Sequence, residues 1–256
     1  MAEILNVRNV SKSFGGLKAI RDLSFGTRKG NITAIIGPNG AGKTTLFNLI
    51  SGLYRVDSGS ILFKETRVDT LRPYLIPFLG ISRTFQKLSV FQNMNVLENV
   101  MMGRYILSSS GFFTCAMNLR RYRGEEREIR EKALFWLRFM NLDGIWSKKI
   151  QELPFEKQRL VEITRAVAGE PELILLDEPA AGLNITETKN LIDSIYKIRE
   201  LGKTVLIVEH DMDLVMEISD TIIVLNFGEK IAEGPPREIQ GDERVISVYL
   251  GKEALK

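Results

Sequence analysis

Short runs of aliphatic residues alternate along the chain with longer stretches in which apolar residues recur at helical spacing. The runs that predict buried strands are residues 32–36, 173–176, 205–208 and 222–225. Each run ends at a glycine or a polar residue, as strands of a parallel sheet commonly do before a loop. Alternation of such strands with helices is typical of an α/β fold, in which active sites gather beyond the carboxyl ends of the strands.

Two of the helical stretches carry signals for where they begin or end. Residues 187–199 have apolar residues at helical spacing, and Asn184 followed three residues later by Glu187 is a capping signal. Residues 158–168 form a second helical pattern, which Gly169 closes. The sequence therefore predicts two helices of the sheet domain at these places.

The stretch from about residue 104 to residue 150 differs from the rest, because charged residues surround a helical apolar pattern. It predicts a helical lobe inserted between two parts of the sheet domain, with Trp136 and Trp146 in the core of that lobe. We therefore expect one domain over residues 1–256, divided into a core lobe (1–87 and 165–256) and a helical lobe (88–164).

Composition narrows the classes of function. With 44% hydrophobic and 26% charged residues, the chain has the make-up of an ordinary globular protein. A net charge of +3 is too slight to favour nucleic-acid binding, and the basic run at 120–123 is followed at once by acidic residues, as on a solvated helix face. The single cysteine, Cys115, cannot form an internal disulfide bond and fits a reducing compartment.

Membrane-directed segments are not expected from the pattern of hydropathy. No apolar run approaches the ~18–20 residues that span a bilayer. The charged start of the chain also lacks the apolar core of a signal peptide. If the protein serves a membrane, we expect it to do so by docking to another chain.

Residues 37–44 read Gly-Pro-Asn-Gly-Ala-Gly-Lys-Thr, which matches the phosphate-loop pattern in full. Glycines let the backbone wrap closely around phosphate oxygens, with amide N–H groups pointing inward. Lys43 can bridge the β- and γ-phosphates, and the Thr44 hydroxyl can complete an Mg²⁺ shell. A plain glycine-rich turn is the alternative, which the flanking strand and helix disfavour. The residues predicted to bind the nucleotide here are Gly37, Asn39, Gly40, Ala41, Gly42, Lys43, Thr44 and Thr45.

The predicted strand 173–176 is followed by two adjacent carboxylates, Asp177 and Glu178. An aspartate in this position is suited to hold Mg²⁺ through water, and Glu178 can polarise the attacking water as a general base. The alternative is that the pair caps a helix, which the upstream phosphate loop disfavours. Because the Asn-Lys-x-Asp pattern that selects guanine is absent, we expect an adenine nucleotide.

Together these motifs resemble those of ATP-binding-cassette (ABC) ATPases, in the family's order and over essentially the whole chain. The motifs that carry the resemblance are Phe14 in Ser-Phe-Gly, the phosphate loop, Gln86 in Arg-Thr-Phe-Gln, Asp177-Glu178, Ala-Gly-Leu-Asn at 181–184, and His210. The resemblance implies an α/β fold of the phosphate-loop NTPase class. Its core sheet is expected to be mainly parallel, with an antiparallel β part and an inserted helical lobe.

The resemblance also implies roles for residues that are weak signals alone. Phe14 would stack on the adenine, Gln86 would sense Mg²⁺ and the attacking water, and His210, the only histidine, would contact the γ-phosphate. Asn184 would lie on the loop that faces the partner subunit of a dimer. The implied cofactors are ATP and Mg²⁺. The implied catalytic residues are Glu178, His210, Gln86 and Lys43, and the implied metal-binding residues are Thr44, Gln86 and Asp177.

Within the ABC ATPases, the chain is most similar to the ATP-binding subunits of branched-chain amino-acid importers. The likeness lies in the long insertion after Arg104 and in the phrases at 12–19, 80–86, 96–100 and 248–253. It implies a peripheral subunit on the cytoplasmic face of the plasma membrane that powers import. The implied partners are a membrane permease, a second ATPase subunit and, indirectly, a solute-binding protein, with no nucleic acid.

Other functions stay open at this point. Subunits for urea uptake or lipopolysaccharide export share several of the same phrases. A soluble cassette ATPase that acts on nucleic acid or ribosomes is a further alternative, although such proteins usually carry two cassettes or a long coiled-coil insertion. A non-hydrolysing structural module is disfavoured, because the residues expected to act on ATP are intact.

One segment departs from the family pattern. The family expects Leu-Ser-x-Gly-Gln, whereas residues 153–157 read Leu-Pro-Phe-Glu-Lys. Pro154 has neither a hydroxyl nor an N–H for the γ-phosphate held by the opposite subunit. Glu156 is expected to put a carboxylate where that phosphate approaches, or simply to favour a helix N-terminus. We therefore expect the working unit to be a heterodimer with a second ATPase subunit.

Overall fold

The described part of the computed structural model comprises residues 2–108 and 120–250. Cys115 lies outside this part, as does the end of the 248–253 phrase, and the side chains of residues 120–123 are likewise not described. Among the described residues, no helix is both long and apolar enough to cross a membrane.

The central feature is a mainly parallel sheet, with the described strands in the order β10-β9-β3-β8-β7-β6. Only β10 runs antiparallel to its neighbour, β9. The strands are β3 (Ile32–Ile36), β6 (Ile81–Arg83), β7 (Leu173–Asp177), β8 (Thr204–Val208), β9 (Thr221–Asn226) and β10 (Glu229–Gly234). The prediction of four buried strands is confirmed, and β3, β7 and β8 are buried along their whole length because both faces of the sheet are covered.

A smaller antiparallel sheet lies beside it, with the described strands in the order β2-β1-β4-β5. These strands are β1 (Glu3–Phe14), β2 (Leu17–Arg28), β4 (Ser58–Phe63) and β5 (Thr66–Arg67). The inner side chains of the antiparallel sheet share a core with helix α1 (Lys43–Ile50) and with Leu175 and Leu206 of the parallel sheet. The antiparallel part of the expected fold is therefore present, and it packs over the helix that follows the glycine-rich loop.

The remaining described α-helices contribute to one core with the parallel sheet. They are α2 (Val96–Arg104), α3 (Arg120–Phe139), α4 (Phe155–Ala168), α5 (Ile185–Glu200), α6 (Met212–Ile218), α7 (Pro236–Gln240) and α8 (Glu243–Leu250). The predicted cap of α5 is confirmed: Asn184 Oδ1 accepts from Glu187 N at 3.0 Å, and Glu187 Oε2 accepts from Asn184 N at 2.9 Å. Helix α4 begins three residues before the predicted start, because the carbonyl oxygen of its N-cap residue, Pro154, accepts from Gln158 N at 3.1 Å and so forms the first helical hydrogen bond.

Helices α2, α3 and α4 pack on one another, with Trp136 buried between them. The prediction that Trp146 is also a core residue is wrong. This residue follows a short turn after α3 and is 40% exposed, and the Arg130 guanidinium lies over its ring at 5.5 Å. Trp146 stays near the surface because it belongs to the connection between helices and not to a helix face. Helix α4 also reaches the core under the sheet, which joins the helical part to the rest.

Candidate nucleotide-binding site

The loop between β3 and α1 has a backbone that only glycine can adopt at two places. Gly37 has φ +151, and a Cβ there would collide with the carbonyl oxygen of Leu225 in β9. Gly42 has φ +105 directly before α1, and a Cβ there would lie 2.6 Å from the carbonyl oxygen of Ala19. The loop is thus held between both sheets, and its amide groups surround the start of α1 as an anion cradle.

Lys43 lies inside this loop. Its Nζ donates to the carbonyl oxygens of Gly37, at 2.6 Å, and Pro38, at 3.1 Å. Burial lowers the pKa of Lys43, whereas the nearby carboxylates of Glu178 and Asp177 act to raise it. A partly buried cation between a phosphate cradle and two carboxylates is suited to bind the anionic end of a nucleotide.

Asp177 is the last residue of β7, and Glu178 directly follows it with the unusual φ of +47, at which the backbone turns. This turn separates the two carboxylates. Asp177 is buried, its Oδ2 lies 2.9 Å from Arg83 Nη2, and its Oδ1 has no hydrogen-bond partner. Burial raises the pKa of Asp177, and the Arg83 guanidinium opposes that shift. One carboxylate is therefore held inside the protein while the other faces the cleft.

Gln86, Glu178 and His210 come together beside the glycine-rich loop. Gln86 Nε2 donates to Glu178 Oε2 at 2.9 Å, and His210 Nδ1 lies 4.0 Å from the same oxygen. The His210 side chain is 63% exposed and can approach a ligand in the cleft. The structure thus brings these three residues near Lys43 from the ends of three parallel strands, β6, β7 and β8.

Two buried residues that support this site were missed by the sequence analysis. Glu209 Oε1 accepts from Ala180 N at 2.8 Å, and Glu209 Oε2 accepts from His210 N at 3.1 Å, so this residue ties together the loops after β7 and β8. Burial raises the pKa of Glu209. Arg83 pairs with Asp177 as described above. The only signal for Arg83 and Glu209 was their position directly before or after a predicted motif.

A cleft of about 400 Å³ connects the loop with Phe14 at the end of β1. The Phe14 ring is 42% exposed, and its edge contact with Tyr54 has a centroid distance of 5.1 Å. An exposed aromatic face at the mouth of a phosphate-binding cleft is suited to stack on a nucleotide base. Other residues, which no motif in the sequence pointed to, line the same cleft: Leu17, Lys18, Ala19, Arg21 and Phe227.

The residues predicted to bind metal form an oxygen-rich set that fits Mg²⁺. Thr44 supplies a hydroxyl, Gln86 an amide oxygen and Asp177 the buried Oδ1 that has no protein partner. Among the described residues, no group of three or more acidic, histidine or cysteine side chains is arranged to hold a metal ion. Such an ion would therefore depend on phosphate oxygens of the nucleotide for much of its shell.

The segment that departs from the family pattern forms the start of α4. Glu156 is nearly buried, and its Oε1 accepts from Asn190 Nδ2 of α5 at 3.0 Å. Glu156 lies in the first turn of α4, as the helix N-terminus alternative expected, and its carboxylate is paired with Asn190 and Lys157. The expectation that this carboxylate faces an approaching phosphate stays a prediction. Pro154 and Phe155 are both exposed in this turn, and Pro154 offers no capping side chain.

A family model described as ABC transporter matches residues 20–181, and a second, described as branched-chain amino acid ATP-binding cassette transporter, matches residues 229–254. The first match covers the glycine-rich loop, Gln86 and the Asp177–Glu178 pair. The chain therefore belongs to the ABC transporter family, in which it is an ATP-binding ATPase subunit.

Relatives and solved structures agree with this assignment. The chain is 38% identical over 250 residues to the high-affinity branched-chain amino acid transport ATP-binding protein LivG of Salmonella typhimurium, covering 97% of this chain and 98% of LivG. It is 38% identical to BraF of Pseudomonas aeruginosa over the same shares of each chain. It resembles the crystal structure of a nucleotide-free ATP-binding cassette from an ABC transporter, with a TM-score of 0.84 and 33% identity, covering 97% of this chain and 99% of the other. The resemblance read from the motifs and the expected fold are thereby confirmed.

Proposed function

We propose that this chain hydrolyses ATP to power the import of branched-chain amino acids through a separate membrane permease. The observation that carries the proposal is that Lys43, Gln86 and Glu178 line one cleft beside the phosphate loop. His210 lies next to this cleft, 4.0 Å from Glu178. Two findings support branched-chain amino acids as the transported solutes. Residues 229–254 match the branched-chain cassette model, and the similar proteins LivG and BraF are named for branched-chain amino acid transport.

In the proposed reaction, the phosphate loop and Lys43 hold the β- and γ-phosphates, with the adenine against Phe14. Glu178 acts as the base that takes a proton from the attacking water, and its hydrogen bond with Gln86 orients both side chains. His210 approaches the γ-phosphate from the end of β8. Mg²⁺, held by Thr44, Gln86 and Asp177 when bound, neutralises phosphate charge.

We also propose the division into a core lobe, residues 1–87 and 165–256, and a helical lobe, residues 88–164. Between them lies a cavity of about 350 Å³ whose lining includes exposed apolar residues, Phe91 and Met102. Exposed apolar surface in a groove commonly marks a protein-binding site. A cytoplasmic helix of the permease fits this groove, which would hold the chain at the cytoplasmic face of the plasma membrane.

The proposed assembly contains a second, different ATPase subunit. A solved cassette that is 25% identical to this chain, with a TM-score of 0.76, is a dimer bound to ADP and phosphate. In such a dimer, the start of α4 in one subunit would face the nucleotide of the other. Because Pro154 lacks a hydroxyl and an N–H, a partner with an intact segment would complete the site built on Lys43 and Glu178.

Reconstitution tests the proposal. The chain would be co-expressed with the permease and second ATPase subunit from its own genome, purified, and placed in vesicles with the solute-binding protein. We expect ATP-dependent uptake of leucine, and loss of uptake with Glu178→Gln at unchanged complex yield. Uptake of urea instead of leucine, or failure of the chain to co-purify with the permease, would contradict the proposed role.

A further inference from the structure

Arg83 supports the site through Asp177, but the proposed reaction gives it no part. Its side chain is 7% exposed at the end of β6. Nη2 lies 2.9 Å from Asp177 Oδ2, while Nη1 donates to Asn48 Oδ1 at 2.7 Å and Ser51 Oγ at 2.8 Å. Asn48 belongs to α1, and Ser51 directly follows it. One guanidinium therefore joins the carboxylate at the end of β7 to the helix that begins at Lys43.

The two oxygens of Asp177 have different surroundings as a result. Oδ2 is paired with Arg83, whereas Oδ1 is buried without a protein partner. A buried carboxylate without a cation or hydrogen-bond donors is costly, and it rotates or reorganises to find them. Arg83 satisfies one oxygen and fixes the plane of the carboxylate, which leaves the other oxygen free for a ligand.

Aromatic rings hold the guanidinium in place. Its central carbon lies 5.5 Å from the centroid of Phe47 and 5.1 Å from that of Phe85. Arginine is suited to this position because its planar fork can donate in two directions while its face stacks on a ring. Lysine, a single point of charge, can replace the cation but not this set of contacts.

We propose that Arg83 is a positioning residue for the magnesium–nucleotide site. It holds Asp177 Oδ1 at a fixed place relative to the phosphate loop and α1, without touching nucleotide or metal itself. The inference rests on the proposed role of Asp177 as a metal-binding residue. A purely structural Arg83 would stabilise the fold but leave the magnesium dependence of nucleotide binding unchanged, so this dependence is the quantity to measure.

The experiment measures binding of a fluorescent ATP analogue to the purified full chain, over a range of Mg²⁺ concentrations and in EDTA. For Arg83→Met we expect the Mg²⁺ concentration for half-maximal effect to rise by about tenfold or more, the usual loss when a residue that orients a metal ligand is removed. Affinity in EDTA should change by less than about twofold, because the phosphate loop is intact, and Arg83→Lys should fall between wild type and Arg83→Met.

A matched control is Arg104→Met. Arg104 is also a buried arginine, and it pairs with Glu170 Oε1 at 2.6 Å away from the cleft. Its removal should leave the Mg²⁺ dependence as in wild type. An unchanged Mg²⁺ dependence in folded Arg83→Met, or an equal loss of affinity with Mg²⁺ and in EDTA, would overturn the inference.

Asp177→Asn separates this inference from the role on which it rests. If Asp177→Asn leaves the Mg²⁺ dependence unchanged, Asp177 does not serve the metal and both ideas fail. If it raises the Mg²⁺ requirement but Arg83→Met does not, only the role of Arg83 fails. The double variant, Arg83→Met with Asp177→Asn, has no unpaired carboxylate at position 177. It can therefore be measured even if Arg83→Met alone does not fold. We expect it to match Asp177→Asn, and a further rise in the Mg²⁺ requirement would contradict positioning through Asp177.

Discussion

At the scale of single residues, the site depends on Asp177 and Glu178, which are adjacent in sequence but lie in different surroundings. Asp177 is buried against Arg83, whereas Glu178, with φ +47, reaches Gln86 in the cleft. A positive φ at a non-glycine residue costs on the order of 1–3 kcal/mol and is most common at functional sites. The strained turn is thus what holds one carboxylate inside the protein and sends the next into the cleft, as the proposed metal and base roles require.

Removal of the Lys43 ammonium tests the phosphate site. Lys43→Ala should weaken Mg-ATP binding by about 2–3 kcal/mol, because hydrogen bonds to a charged phosphate are lost. Calorimetric titration of both proteins measures this difference. Lys203→Ala, which removes an exposed lysine that donates to Glu170 O far from the cleft, is the control. Equal affinity of Lys43→Ala and wild type would show that the nucleotide binds elsewhere.

Glu178→Gln tests the proposed base. The variant should bind ATP normally, since an amide is nearly isosteric with the carboxylate and can still pair with Gln86. Turnover of the assembled complex should slow by about a hundredfold or more, because an amide cannot take a proton from water. Steady-state phosphate release gives the rate. If the variant assembled with its partners keeps the normal rate, the base is another group.

The buried carboxyl of Glu209 predicts a pH effect on stability. Burial raises its pKa in the folded protein above the value of 4.5 in an unfolded chain. The folded state then binds more protons than the unfolded state just above pH 4.5, so the contribution of Glu209 to stability falls as the pH rises. In Glu209→Gln this fall should be absent, and melting temperatures from pH 4.5 to 7.5 should drop less steeply than in wild type. Parallel profiles of the two proteins would refute the assignment.

At the scale of elements, the start of α4 is the part of this chain that would face the partner's nucleotide in the proposed dimer. Pro154 stands in place of the family's serine and Glu156 in place of its glycine, and Glu156 is held by Asn190 of α5 while the Phe155 ring is exposed. The helix itself needs neither the serine nor the glycine, because its later residues are anchored in the common core. The residues at the start of α4 can therefore differ from the family pattern while the helix itself still forms.

Restoring Ser at 154 and Gly at 156 tests this point. The double variant should hydrolyse ATP faster than wild type when the chain is purified alone, since each missing γ-phosphate donor costs ~3–4 kcal/mol in the transition state. Asn190→Ala breaks the same hydrogen bond to Glu156 without changing the backbone of the turn, and it should not raise the rate. Equal rates for wild type and the restored variant would remove the reason for proposing a heterodimer.

At the scale of the whole molecule, the groove between the Gln86 loop and α2 is the proposed site for the permease. In a Cys115→Ser background, cysteines in place of Phe91 and Met102, both exposed in that groove, should cross-link to the permease. A cysteine in place of Arg237, exposed on α7, is the control and should not. If only the cysteine on α7 cross-links, the permease binds near α7 and the proposed groove is wrong.

The sequence by itself determined the features that depend on residues close together in the chain. The aliphatic runs gave the central strands because full burial on both faces requires them to be apolar throughout. Asn184 and Glu187 predicted a cap because that hydrogen-bond pair closes within four residues. The glycine-rich loop was recognisable for the same reason, since its backbone conformations are encoded residue by residue.

Only the tertiary structure decided the contacts between distant residues. Arg83 meets Asp177 across 94 positions because β6 pairs with β7, and β6 is too short, at three residues, to leave a pattern. The direction of the Glu156 carboxylate depended on Asn190 of another helix, and the exposure of Trp146 depended on where a connecting turn lies. Such outcomes follow from how elements pack against each other, and the free energy of that packing is shared among residues far apart in the chain.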